Sequence, residues 1–120
     1  MKLENFRDLT AWKEGHKLVI GIYSITKSFP VQEQFGITNQ MRRAGVSITS
    51  NVAEGFVRRG LKEKAQFYYM ALGSVSELQN QLIISNEIGY LDKSKFETLF
   101  EQCNSVGRLL NGLIKSTQNR

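Results

Sequence analysis

Apolar residues recur at alternating spacings of three and four along nearly the whole chain, and only three short stretches interrupt this pattern. A spacing of three and four places apolar side chains on one face of an α-helix, and no segment shows the sustained alternation of a half-buried strand. The interruptions are FPVQEQFG (29–36), RRG (58–60) and IGYLD (88–92). The pattern therefore predicts four helices and disfavours an α/β fold.

The residues at the interruptions predict where the helices begin and end. The first helix should run from about 8 to 28, because Pro30 lacks an N–H and restricts the residue before it. The second should run from 38 to 59, with the Thr38 hydroxyl as its cap and Gly60 as its C-terminal glycine. The third should end at Gly89 in the same way, and the fourth should start near Asp92. Long segments with short connections favour an all-α, antiparallel up-down-up-down four-helix bundle.

Length and composition limit the domain organisation and the location. A chain of 120 residues is long enough for one compact domain, so we expect a single domain over 1–120 with tails at about 1–7 and 117–120. The single Cys103 cannot form an internal disulfide, as expected in a reducing compartment. The first eight residues contain four charges, and no stretch approaches the roughly 20 apolar residues of a membrane span. These features predict a cytoplasmic protein without a membrane partner.

Positive charge is concentrated between residues 40 and 64. This stretch holds six of the sixteen basic residues and two of the eleven acidic ones, which gives +4 of the formal net charge of +5. Such a patch suits phosphates, although a solvated basic loop and ordinary solubility are alternative explanations. The predicted nucleic-acid contacts are Arg42, Arg58, Arg59, Lys62 and Lys64.

A row of polar residues lies beside the apolar face of the second helix. At about 100° per residue its members share one sector, and a helical hairpin that turns at Gly60 places Ser47 level with Ser74 and Arg43 level with Glu77. We therefore expect an ion pair between Arg43 and Glu77 within a partly buried layer that sets the register of the two helices. The predicted layer consists of Arg43, Ser47, Asn51, Glu54 and Glu77.

The second helix is also apolar on the side opposite its core face. Val46, Ala53 and Val57 point away from Ile48 and Val52, and a monomer would expose them. A helix that is apolar on opposite faces is usually buried on both, which predicts a subunit interface and a homo-oligomer. A few scattered surface valines are the alternative.

The residues that commonly carry catalysis do not converge in the sequence. His16 is the only histidine, so neither a histidine metal site nor a Ser-His-Asp triad has support. Gly55 and Gly60 lack the Gly-Lys-Ser/Thr continuation of a phosphate-binding loop. Glu54 as a general acid or base would need a second reactive group, and none is evident. We predict no enzyme, no metal and no cofactor.

Several segments are similar to a known family. The stretch QMRRAGVSITSNVAEG resembles the signature of four-helix-bundle proteins encoded by intervening sequences in bacterial 23S ribosomal RNA genes, and FPVQEQFGIT and YYMALGSVSELQNQLIISNEIGYL resemble the family's first connection and third helix. The resemblance implies an antiparallel bundle and pentameric barrels with a basic surface. It also implies distant kinship with the accessory variability determinant of diversity-generating retroelements, which binds a reverse transcriptase and nucleic acid. It implies no catalytic residues.

Two hypotheses follow for the function. The first is a non-enzymatic homo-oligomer, a pentamer by resemblance, that associates with RNA in preference to DNA through its basic patches. The alternative is a protein-interaction accessory module that docks on a partner such as a reverse transcriptase without binding nucleic acid directly.

Overall fold

The protein folds into four α-helices joined by short connections. The computed structural model describes residues 3–118, so positions 1, 2, 119 and 120 of the expected tails lie outside the described residues. Single 3₁₀ turns at Phe6–Asp8 and Val31–Glu33 precede the first and second helices, and residues 3–118 contain no strand. The all-α class is confirmed. The helices are α1 (Thr10–Thr26), α2 (Ile37–Val57), α3 (Leu61–Glu87) and α4 (Lys93–Ser116).

Contacts between named residues show that neighbouring helices are antiparallel. Ser74 Oγ donates a hydrogen bond to Ser47 Oγ at 2.9 Å, and further along α2 Gly55 lies against Tyr68, which comes earlier in α3. The two helices α2 and α3 therefore run in opposite directions. The other neighbouring helices show the same reversal. Between α1 and α2 the contacts are Gly15 with Thr49 and Val19 with Gly45, and between α3 and α4 they are Leu72 with Gly107 and Gln79 with Asn104. Between α1 and α4, Ala11 lies beside Gly112 and Gly21 beside Leu99. This is the predicted up-down-up-down bundle.

The core lies along the bundle axis and receives side chains from every helix. Burying each large aliphatic side chain contributes about 1.5–3 kcal/mol, so this core is the main source of stability. The buried face of α3 includes Ala71, Leu78 and Gln81, whereas Leu72 is only partly covered. The largest fully buried side chains are Leu18, Ile22, Met41, Ile48, Leu78, Leu82 and Leu110.

The helix ends agree only in part with the sequence predictions. Gly89 has φ +88° and follows α3 as expected, and Asp92 caps α4 by accepting a hydrogen bond from the Lys95 N–H at 2.8 Å. Gly60 has φ −80° and is the N-cap of α3, so its prediction as the C-terminal glycine of α2 was wrong. Thr38 lies inside the first turn of α2, and Gly36 occupies the capping position without a side-chain hydrogen bond. The prediction of a Thr38 cap was also wrong.

Two of the three connections meet at one end of the bundle. The connection between α1 and α2 carries Glu33, whose Oε2 accepts a hydrogen bond of 2.9 Å from the Tyr90 hydroxyl in the connection between α3 and α4. The Tyr90 ring also lies 5.4 Å from the ring of Phe29. The remaining connection, residues 58–60, lies at the opposite end. The ends of α2 therefore lie in different surroundings, and both carry basic residues.

Candidate nucleic-acid interface

Four of the predicted contacts lie at the turn between α2 and α3, and we refer to Arg58, Arg59, Lys62 and Lys64 as the turn cluster. Arg59 and Lys62 are exposed and form no ion pair with another described residue, whereas Arg58 and Lys64 are partly buried. Arg58 Nη2 lies 2.8 Å from Glu54 Oε2, and its guanidinium lies 4.8 Å from the centre of the Phe67 ring. The positive charge of Arg58 is thus partly neutralised by its neighbour.

Lys64 is engaged with the end of α2. Its Nζ donates hydrogen bonds to the carbonyl oxygens of Gly55 at 3.2 Å and Phe56 at 2.6 Å, in the last turn of α2, and the Gly55 oxygen also accepts a hydrogen bond of 3.3 Å from the Arg58 N–H. A cation there also interacts favourably with the helix dipole. Burial lowers the pKa of Lys64 below its ordinary value. Counting charges in the sequence could not reveal this structural role, because the contact requires α3 to fold back beside α2.

Arg42, the fifth predicted contact, lies at the opposite end of α2. Its Nε donates a hydrogen bond to Thr26 Oγ1 at 2.9 Å, and its guanidinium lies 4.7 Å from the centre of the Tyr23 ring. The two Nη atoms make no hydrogen bond with the described residues. The structure therefore divides the predicted basic set between two ends of the bundle.

The polar row on α2 is confirmed in its central part. Ser47 accepts the hydrogen bond from Ser74, and Asn51 Nδ2 donates to Ser47 Oγ at 3.1 Å and to the Ser47 carbonyl at 2.8 Å. All three side chains are partly buried. This small network links α2 to α3 at the register predicted from the turn position.

The outer part of the row differs from the prediction. Arg43, Glu54 and Glu77 are exposed, so their expected partial burial was wrong. Arg43 and Glu77 line the same cavity of about 410 Å³, yet no ion pair joins them among the described residues, and Glu77 accepts a hydrogen bond from Gln81 at 3.3 Å instead. At an exposed position water solvates both charges, and an ion pair adds little.

The outer face of α2, which we define as Val46, Ala53 and Val57, is open to solvent in the single chain. Val57 is 64% exposed and Val46 is 40% exposed, while Ala53 is partly covered. Their predicted role in a subunit interface remains a prediction.

The residues considered for catalysis or metal binding lie apart. His16 is exposed and stacks on Trp12 with a centroid distance of 4.9 Å, while Glu54 pairs with Arg58. The cavity that Glu77 lines includes neither His16 nor Glu54. Cys103 is fully buried, and burial raises its pKa to about 12. Within residues 3–118 no three His, Cys, Asp or Glu side chains are grouped as a metal site would require.

A second polar surface, not predicted from the sequence as a unit, surrounds the first turns of α2. We call it the Tyr23–Phe35 surface, after the two exposed rings that flank it. Its residues line adjoining cavities of about 490 and 410 Å³. The sequence signal was Phe35, an aromatic residue in a connection rather than on a helical face. The surface consists of Tyr23, Phe35, Asn39, Arg42 and Arg43.

No described helix within residues 3–118 combines the length and apolar character needed to cross a membrane.

No curated protein matches the chain. The structure is similar to the 1.70 Å crystal structure of a protein with unknown function from the S23 ribosomal protein family of Bacteroides thetaiotaomicron VPI-5482, with a TM-score of 0.80 and 19% identity over 88% of this chain and 95% of that chain. At this identity the likeness shows the shared fold. The family model described as 23S rRNA-intervening sequence protein matches residues 7–112, and the chain therefore belongs to the 23S rRNA-intervening sequence protein family.

Proposed function

We propose that this protein is a non-enzymatic, cytoplasmic homo-oligomer that associates with nucleic acid, RNA in preference to DNA. The observation that carries the proposal is the set of exposed cations on α2 and its turn. Arg43, Arg59 and Lys62 are exposed, and none forms an ion pair with another described residue. Surface cations without an ion-pair partner can bind the phosphates of a nucleic acid, because they release the counterions that are condensed on it. Membership of a family named for an intervening sequence in 23S rRNA agrees with an RNA context.

The outer face of α2 supports the oligomeric part of the proposal. Val57 and Val46 expose apolar surface on the same helix that carries the turn cluster. Burial of this face between subunits would remove that surface from water. A closed symmetric assembly would then repeat Arg59 and Lys62 once in each subunit, and a pentamer is the form that the resemblance implies.

The separation of the candidate catalytic groups supports a non-enzymatic role. General acid–base catalysis by a pair of side chains needs both within hydrogen-bond reach of one substrate. Glu54 is paired with Arg58 on the surface, and His16 stacks on Trp12 in α1.

The proposal is tested by measuring binding of a fluorescein-labelled RNA hairpin at about 50 mM to 200 mM salt by fluorescence anisotropy. We expect log K to fall with log salt at about 0.7 to 0.9 per phosphate contact, and an Arg59→Ala, Lys62→Ala variant to lose about two contacts from that slope. A matched Lys93→Ala, Lys95→Ala variant makes the same change in net charge at exposed positions of α4. Absence of binding at 50 mM salt, or an equal loss in both variants, would refute specific use of the turn cluster.

A second candidate is the protein-interaction module, docked for example on a reverse transcriptase. The observation that favours it is the exposed apolar side chains on and just after α3, which are Tyr69 and Met70 near its start and Ile83, Ile84 and Ile88 at its end. The two candidates differ under nuclease treatment. A complex with a purified reverse transcriptase that survives complete RNA digestion, together with no affinity for the RNA hairpin, would favour the module.

A further inference from the structure

We infer that the Tyr23–Phe35 surface binds a single-stranded segment of nucleic acid, with bases stacked on its aromatic rings and phosphates held by its arginines. The inference rests on the proposed association with nucleic acid and deepens it. It places the contact with unpaired nucleotides at the start of α2, at the opposite end of the bundle from the turn cluster.

Three cavities at this end lie side by side across α2, and neighbouring cavities share lining residues. The first, of about 220 Å³, lies between α1 and the connection to α2, and Arg42 separates it from the second, of about 490 Å³. Asn39 and Arg43 in turn form the wall between the second and the third, of about 410 Å³. A flexible polymer can follow such a path across the helix, whereas a compact ligand would fill one cavity.

The charge along this path is complementary to a polyanion. Lys27 and Arg42 line the first cavity, and Arg42 and Arg43 line the second. Among the residues that line the three cavities, Glu77 is the only acidic one. Arg43 forms no ion pair with a described residue, so its guanidinium is available to a phosphate. Val46 of the outer face of α2 also lines the second cavity, so the proposed subunit interface would border this surface.

Exposed aromatic rings flank the arginines on both sides. Phe35 is 85% exposed although its ring is apolar, and Tyr23 is 39% exposed beneath the guanidinium of Arg42. Aromatic rings interleaved with cations are the usual platform for unpaired bases, because every base has a face that can stack. Bases within a duplex already stack on each other, so the arrangement favours single-stranded segments.

Polar groups along the path lack partners within the described residues. Thr38 lines the first cavity and is only 6% exposed as a residue, and its buried hydroxyl has no hydrogen-bond partner among the described residues. At the first turn of α2 beside it, Glu33 Oε1 accepts a hydrogen bond of 3.5 Å from the Ile37 N–H. Asn39, exposed between the second and third cavities, offers an amide to base edges.

The test uses a fluorescein-labelled 12-nucleotide oligouridine, which has no base-paired structure, with the full-length protein. We expect Phe35→Ala to weaken binding roughly 5- to 150-fold without changing the salt slope, because stacking carries no charge. Phe35→Trp should retain the affinity. Arg43→Ala should reduce the slope by about 0.7. Tyr69→Ala is the matched control, since Tyr69 is exposed on α3 away from the three cavities.

The outcomes separate this inference from the proposed function. If the wild type binds both the hairpin and oligouridine but Phe35→Ala and Arg43→Ala behave like Tyr69→Ala, the site is refuted and the function stands. If the wild type binds neither RNA, both fail. Phe35→Ala could also weaken binding by breaking a subunit contact, and sedimentation velocity of this variant tests that case. A loss of oligomer mass would assign Phe35 to a subunit contact and overturn the site. The exposed position of Phe35 means that these substitutions should leave folding intact.

Discussion

The ammonium group of Lys64, in the first turn of α3, donates a 2.6 Å hydrogen bond to the carbonyl oxygen of Phe56, in the last turn of α2. Loss of this cation should lower the free energy of unfolding by about 1–2 kcal/mol in Lys64→Ala, because carbonyls at the end of α2 lose a charged donor. Lys62→Ala, which removes an exposed charge from the same turn, should change it by less than about 0.5 kcal/mol. Urea denaturation measures both values. Equal stabilities for the two variants would contradict the capping role.

Gly55 and Gly73 form a matched pair of helical glycines. A Cβ atom at Gly55 would lie 2.7 Å from Cε1 of the buried Tyr68, whereas one at Gly73 would meet nothing within 4 Å. Gly55→Ala should therefore destabilise the protein by about 1–3 kcal/mol, because overpacking exceeds the gain in helix propensity. Gly73→Ala should stabilise it by about 0.5–1 kcal/mol. Thermal denaturation of both variants checks the difference in sign, and two stabilising substitutions would show that Tyr68 moves aside freely.

Cys103 should make the stability fall at alkaline pH. Burial raises the pKa of its thiol from 9.0 to about 12, so the unfolded chain releases this proton before the folded protein does. The contribution of this protonated thiol to the free energy of unfolding is complete below pH 9 and is lost as the pH rises towards 12. The free energy of unfolding should fall with a slope of at most about 1.4 kcal/mol per pH unit. Urea denaturation from pH 7 to 10.5 should show this decline, and Cys103→Ala should flatten it between pH 9 and 10.

Three other groups with shifted pKa values titrate in the alkaline range. Burial raises the pKa of Tyr68, and the hydrogen bond to Glu33 raises that of Tyr90, so both add a decline of the same sign above about pH 10. Burial lowers the pKa of Lys64, which acts in the opposite direction just below pH 10.5. The window from pH 9 to 10 is therefore the one that reports on Cys103. An unchanged slope there in Cys103→Ala would contradict the prediction.

Val57 tests the proposed subunit interface. The wild type should sediment as a multiple of the 13.7 kDa chain, and Val57→Lys should shift it towards 13.7 kDa, because a buried lysine without a partner is costly. Ile20→Lys makes the same change at an exposed residue of α1, outside the outer face of α2, and should leave the mass unchanged. A monomeric wild type would remove the oligomer from the proposal, and an equal effect of both substitutions would argue against this interface.

The sequence predicted axial positions better than side-chain partners. Whether Ser47 and Ser74 lie at the same height along the bundle depends only on where the hairpin turns and on the helical rise per residue. The 2.9 Å hydrogen bond between them confirms the predicted height. An ion pair also requires both side chains to rotate towards each other. Arg43 and Glu77 share a cavity on the solvent side, where hydration competes with pairing.

The helix ends and the individual roles of the basic residues required tertiary information. Gly36 starts α2 and leaves Thr38 within the first turn, a shift of one or two residues that local propensity cannot resolve. Lys64 and Arg59 look alike in the sequence as members of one basic run. Only the packing of α3 against α2 places one against carbonyl oxygens and leaves the other exposed.

The hydrogen bond between Tyr90 and Glu33 has a consequence for the order in which the protein opens. It joins the hairpin of α1 and α2 to the hairpin of α3 and α4 at a single end. The opposite end has one covalent connection together with the start of α1 and the end of α4, so fraying should begin there, and the end joined by Tyr90 and Glu33 should exchange its amide hydrogens last. Nucleotides bound at the Tyr23–Phe35 surface would then contact the end of the bundle that opens most slowly. Nucleotides bound at the turn cluster would contact the end that opens most readily.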